Sequence, residues 1–458
     1  MKNFLTEFIG EYVERIQYND IPRSVIEKVK LCILDSVGCA LGGSTIDEGH
    51  IVINSLLAGG VGSSTIFGHK KKASLSSAVF INSTLSNILD FDDYYIGHPG
   101  ATIIPVAFNV GELRNASGKD IITAVALGYE IAIRIGLGLR PTVERRYVHG
   151  HGTWQIFGAV VVASKILGLN AGEIANALGI AGANAPVPSA MKTVYGLTGP
   201  TMVKNNFGTA SEVGVISALL ARNGFTGPKD IFDGDTSFWR MIGTNHYDLD
   251  RVLHDTLSSE YKILNIAFKP YPCCRLIHSS IEAVINVLSE NDIVLRDVEK
   301  IVIKNVSPLS RQPFSVQEPK NMTEAQFSCP YTITCAIKNI DSLEWYKNGN
   351  ILDNSLLEMA KKIESKAEPS ADKVFQNDSG KIPATATVYV KNGKKYSNEV
   401  GIPKGDPRNA LTEKAFREKF KKLTVKALNA EGKVISIMNM IMELEELENI
   451  KKLTNMLS

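Results

Sequence analysis

Through roughly the first 265 residues the apolar side chains recur at three- and four-residue intervals and almost never alternate in twos. A chain so patterned has to stack amphipathic helices, because only a 3.6-residue repeat gathers those positions onto one face. Phe4, Phe8, Tyr12 and Ile16 make one such stripe. Val25, Val29, Ile33 and Val37 make a second, behind Pro22, which suits a helix start. The spacing predicts further helices over 46–58, 74–90, 101–113 and 121–137, the last capped by Asp120. Phe157–Leu167 is apolar on nearly every side, as a helix buried all round must be. Helices over 170–181 and 208–223 follow, and the glycine-bounded segment 62–68 reads as an extended turn.

The texture changes near residue 267. Val298–Val306 alternates like a strand, and so do Ala384–Val390 and Lys395–Val400. Asn392-Gly393 between the last two is a tight-hairpin signal. Helix returns after Thr412, with Phe416, Phe420 and Leu423 on one face, and continues over 430–456. At 458 residues the chain exceeds what one core serves. The expected fold is mainly α with a smaller α+β lid domain. Residues 1–266 and 401–458 form a helical domain from both chain ends, and residues 267–400 form the lid, on two linkers that can hinge.

The densest chemistry lies where the 74–90 helix ends. Asp90, Asp92, Asp93 and His98 crowd a short stretch that Gly97, Pro99 and Gly100 then break. Histidine titrates near neutrality and passes protons either way, and a neighbouring carboxylate orients it. The same carboxylates suit Mg²⁺ or Mn²⁺, but no second ligand set accompanies them, so no metal is expected. His149 and His151 sit on a glycine-rich loop ahead of the buried helix. Lys269-Pro270-Tyr271-Pro272-Cys273-Cys274-Arg275 falls at the expected domain junction, where Arg275 can grip a carboxylate in bidentate fashion. Lys204 precedes an apolar helix, a place that suits an anion. Each feature also has a plain structural reading, as a solvated junction, a cap or a linker.

Fifty basic residues against forty-eight acidic ones leave a net charge of +2, which argues against nucleic acid or a membrane as partner. The N-terminus lacks a basic head and long apolar stretch, and no apolar run reaches the about eighteen residues of a span. Six cysteines without a CxxC pair argue against a zinc ribbon or disulfide framework, so a cytoplasmic setting is expected.

Leu89-Asp90-Phe91-Asp92-Asp93 with His98-Pro99, the stretch His149–Leu169, the stretch Lys269–His278, and Gly405-Asp406-Pro407-Arg408-Asn409 occur in that order. Together they resemble the MmgE/PrpD family, which includes 2-methylcitrate dehydratase, cis-aconitate decarboxylase and iminodisuccinate epimerase. The resemblance implies a homodimer with its site between helical domain and lid, working without metal or organic cofactor. By matching motifs, Asp90, His98, His149, Lys204 and Lys269 line that site, and Tyr331 matches a further family tyrosine. Tyr94 stands where the decarboxylase branch has a threonine, and Cys274 where it has a histidine. The expectation is therefore a hydro-lyase of the 2-methylcitrate dehydratase kind acting on a small di- or tricarboxylate. His98 and His149 would move protons and Asp90 orient one imidazole. Lys204, Lys269, Arg275, Asp93, Tyr94, Cys274 and Tyr331 would contact substrate. Epimerisation of a substituted succinate by the same α-proton chemistry is one alternative, and a non-catalytic organic-acid-binding dimer is another.

Overall fold

The structure is a computed structural model that describes residues 4–139, 151–193, 200, 206–244, 247–253 and 260–458. Its hub is the helix His151–Leu167, nearly all of whose side chains are buried. It packs against Gly118–Gly138, Pro99–Arg114, Asn206–Arg222 and Ala171–Ala183, which together cover the apolar surface that the sequence left on every side. Small residues set the closest crossing: a Cβ at Gly158 would lie 2.9 Å from both the Gly128 carbonyl oxygen and Ala132 Cβ. The helix Gly118–Gly138 is long and apolar enough to cross a membrane, but 94% of its apolar window is buried inside the protein.

The helices fall close to their expected ranges, with two instructive differences. Gly118–Gly138 is capped by Ser117, whose hydroxyl accepts from Asp120 N while Asp120 accepts from Ser117 N. Asp120 is thus the third residue of a capping box and not the cap itself. The second difference is a small hairpin, β1 (Ser64–Ile66) with β2 (His69–Ala73), where a turn was expected. Its strands are too short to display a two-residue pattern. Asn82 and Glu112 hold it from below, through Phe67 N at 2.9 Å and Thr65 N at 2.8 Å.

The C-terminal sheet is mixed, in the order β4–β3–β5–β6. Strand β3 (Val298–Asn305) runs parallel to β4 (Ile363–Ala367) and antiparallel to β5 (Ala384–Val390). The hairpin from β5 to β6 (Lys395–Val400) turns through the three-residue loop 391–393, in which only Gly393 takes positive φ, at 80°, so the Asn-Gly pair closes a longer loop than the two-residue primed turn. Ala384, Ala386, Val388 and Val390 face inward, and the helix His278–Glu290 packs on β5 and β6.

Two hydrophobic clusters result. One draws on the N-terminal helices together with Phe416, Phe420, Val434, Ile437 and Leu453 from the tail. The other contains most of the apolar side chains between Cys273 and Val400, together with Cys39, Ile88, Leu89, Phe91 and Leu423. The tail helix Glu413–Leu428 packs on Arg23–Gly43, so both chain ends build the helical body. Phe91 belongs to one cluster and Ile96 to the other, and the loop joining them carries His98 at its end.

Candidate active site

The helix Leu75–Ile88 ends in a left-handed residue, and that residue is Asp90, with φ of 52°. Aspartate tolerates this conformation better than most side chains. Here it is fixed by Lys269, whose Nζ donates to Asp90 Oδ1 at 2.6 Å and to the Asp90 carbonyl at 2.9 Å. Lys269 is wholly buried and also lies 3.9 Å from Asp92 Oδ1. Burial works against its charge, but the Asp90 and Asp92 carboxylates outweigh it and hold the ammonium above the ordinary lysine range.

Asp92 is the carboxylate nearest the imidazole. His98 Nδ1 lies 3.2 Å from Asp92 Oδ2, whereas His98 Nε2 is 3.9 Å from Asp90 Oδ1. The Nδ1 approach is an ion-pair distance with the ring turned off the hydrogen-bond direction. Asn87 Nδ2 donates to both oxygens of Asp92, at 2.9 and 3.1 Å. Burial raises the Asp92 carboxyl's pKa, but His98 and Lys269 reverse that, and it settles below the usual carboxylate range. Asp92 is thus the nearer carboxylate to the ring, while Asp90, held by Lys269, stands 3.9 Å from its other nitrogen.

The imidazole is packed as well as paired. Tyr94 and Phe207 meet it edge-on with ring centroids at 5.6 Å, and His151 sits at 5.5 Å. Gln155, with its amide oxygen accepting from His98 N at 2.8 Å and its nitrogen donating to His98 O at 3.2 Å, clamps the backbone there. Gly97 precedes it at φ of 117°, and a Cβ at that position would stand 2.5 Å from the Gln155 amide. Trp154 Nε1 ties the Ile96 carbonyl to the hub helix at 3.1 Å. From the tail, Lys419 Nζ donates to the Phe91 carbonyl at 2.7 Å and to Asp35 at 2.6 Å.

Asp93 points the other way. Tyr129 donates to its Oδ2 at 2.6 Å and Gly100 N to its Oδ1 at 3.1 Å. Burial, and then the charge of Asp92, push its carboxyl up to about 8.

The remaining expected residues divide. Tyr94 abuts His98, and Cys274 is half-buried and close enough to Lys269 to act on its charge. Tyr331 is fully buried in the second core with its hydroxyl given to the Trp345 carbonyl at 2.5 Å. Asp93 is likewise a packed group and not a lining one. Lys269 is committed to Asp90 in place of a substrate carboxylate. Arg275 turns to the carbonyls of Lys404 and Pro403, at 2.9 and 3.3 Å, on the wall of a cleft of about 720 Å³ that none of Asp90, Asp92, His98 or Lys269 lines. His149 and Lys204 lie outside the described residues. Tyr129, Gln155 and Lys419 were invisible as site residues, because only tertiary packing brings them to the loop, while Asn87, five residues before Asp92, carries no titratable group to mark it.

Ligand atoms of Asp90, Asp92 and His98 lie within 4.8 Å of one another, a spacing that suits a metal ion. The Lys269 ammonium already supplies a cation against two of those three groups.

A buried imidazole among two carboxylates and an ammonium, on a loop pinned between two cores, is the equipment of an acid–base site. The MmgE/PrpD N-terminal domain matches residues 7–249 and the MmgE/PrpD C-terminal domain residues 271–444. The chain belongs to the MmgE/PrpD family. It is similar to cis-aconitate decarboxylase of Homo sapiens, 25% identical with 100% of this chain and 95% of the relative covered. The cis-aconitate decarboxylase of Aspergillus terreus is 24% identical over 100% of this chain and 96% of its own length. The cis-aconitate decarboxylase-like protein oryM of Aspergillus oryzae is 25% identical over 99% and 97%.

Proposed function

We propose that this family member is an enzyme acting on a small di- or tricarboxylate by side-chain acid–base chemistry, with dehydration as its reaction. The observation that carries the proposal is the set Lys269–Asp90 and Asp92–His98, buried together where the two cores meet. Removing a proton α to a carboxylate builds negative charge that a fixed cation stabilises. His98, with Asp92 beside it, is the proton-transfer group, and Lys269 holds Asp90 in place. His149 serves as the second acid–base group, which protonates the departing hydroxyl. Lys204 meets a substrate carboxylate, with Tyr94 and Cys274 beside the reacting centre.

Decarboxylation is the second reading, favoured by the names of the full-length relatives. The two reactions part on product: an unsaturated acid with all carboxylates retained, or one carboxylate lost as carbon dioxide. Citrate-like acids, cis-aconitate and substituted succinates, followed by ultraviolet absorbance and NMR, identify the reaction. Folded His98→Ala and His149→Ala variants are expected to lose turnover of the substrate so found. Near-full turnover in both would defeat the assignment.

A further inference from the structure

Beyond the acid–base cluster, the same loop borders a second feature. The cleft of about 720 Å³ is lined by Tyr94, Ile96, Arg275, the segment Phe375–Gly380 and Arg408. Arg275 is only 4% exposed, yet it faces no carboxylate within ion-pair distance among the described residues, and two backbone carbonyls are its hydrogen-bond acceptors. A guanidinium carries five N–H donors in a planar fork, so this one has donors to spare. The other cations of the cleft are already neutralised. Arg408 is bound to Asp406 at 2.8 Å and to Asp378 at 2.5 Å, and Arg251 lies 3.2 Å from Asp248. A buried guanidinium with no carboxylate in direct contact among the described residues is costly to maintain; burial lowers its pKa to about 10, and the more distant charges of Asp406 and Glu282 only partly offset that.

We propose that this cleft is an oxyanion-binding site, separate from the acid–base cluster, in which Arg275 takes a carboxylate or phosphate group. The volume exceeds what a lone inorganic ion needs and falls within the range of small-molecule sites, so the natural ligand is an organic anion. Tyr94 lines the cleft and also meets the His98 ring edge-on, so an occupant would press on the residue that packs the imidazole.

Titration calorimetry of the full chain with inorganic phosphate, malonate and citrate tests this without any assay of turnover. At least one anion is expected to bind the parent and the His98→Asn variant alike, and to bind Arg275→Gln at least tenfold more weakly. A preference for phosphate over both acids, or the reverse, decides which oxyanion the cleft takes. Equal affinity in Arg275→Gln, loss in His98→Asn instead, or no binding of any of the three would overturn the proposal. Because Arg275 also holds the 403–404 backbone, its replacement risks the local fold, so a crystal of the unsubstituted protein soaked in selenate gives a second measurement. An anomalous peak within hydrogen-bond distance of the Arg275 guanidinium is expected. A peak only at Lys269, or none, counts against the site. Neither measurement depends on which reaction the enzyme catalyses.

Discussion

Asp92 and Asp93 are neighbours in sequence and are both fully buried, yet the protein treats them oppositely. Asp92 faces an ammonium, an imidazole and the Asn87 amide, and stays ionised below its usual range. Asp93 faces a phenol and one amide N–H with Asp92's charge close by, and its pKa climbs to about 8. Two carboxylates one residue apart are thus split into an ionised group that serves the imidazole and a protonated one that packs. Residue type does not decide the role. The direction in which the backbone throws each side chain does, and this loop throws them to opposite sides.

Breaking the charged side has the largest expected effect. Lys269→Met strands Asp90 and Asp92 as buried charges, and removing one partner of such a group costs about 3–5 kcal/mol. Chemical denaturation should show that loss, and a cost under about 1 kcal/mol, typical of exposed pairs, would mean the cluster is solvated in solution. His98→Asn keeps a nitrogen near the position of the ring's near side while losing the ring, and should lower turnover of the identified substrate by about 10²–10⁴-fold. Asp92→Asn should lower kcat about tenfold while leaving KM nearly unchanged, since it acts through the imidazole's orientation. An unchanged kcat would move the orienting role elsewhere.

The sharpest contrast belongs to Asp93. Its folded pKa of about 8 lies above the ordinary 3.8, so the folded state holds a proton that the unfolded chain has already released. The stabilisation from this group is whole below pH 3.8 and is lost as pH rises to about 8. Asp93→Asn lacks that slope, so its Tm relative to the parent should rise steadily across that window. Parallel curves for the two proteins would show that Asp93 is ionised throughout, like its neighbour.

Much of the frame was legible in sequence because it rests on local pattern. The Val25–Val29–Ile33–Val37 stripe lies within the helix Arg23–Gly43, and Asn392-Gly393 does turn β5 into β6. Strand β4 was missed: it is five residues long and only its first is fully buried, so no alternation marks it. In the cluster, Asp90, His98 and Lys269 announced themselves by residue type and by setting at a helix end and a domain junction. The Lys269–Asp90 bond spans 179 residues, and nothing local distinguishes a lysine that pairs from one that binds substrate. Tyr331 stood on a motif match alone, and its surroundings proved to be core. Asp92 and Asp93 could not be told apart until the backbone direction at each was known.

The Lys419 ammonium grips the Phe91 carbonyl across 328 residues, and only the final stretch of the chain supplies it. During synthesis the acid–base loop therefore emerges long before its last tether does. A ribosome-bound chain stalled short of the tail helix would display the loop with that anchor missing. The hold on the Phe91 carbonyl is consequently among the last contacts of this loop that the growing polypeptide can make.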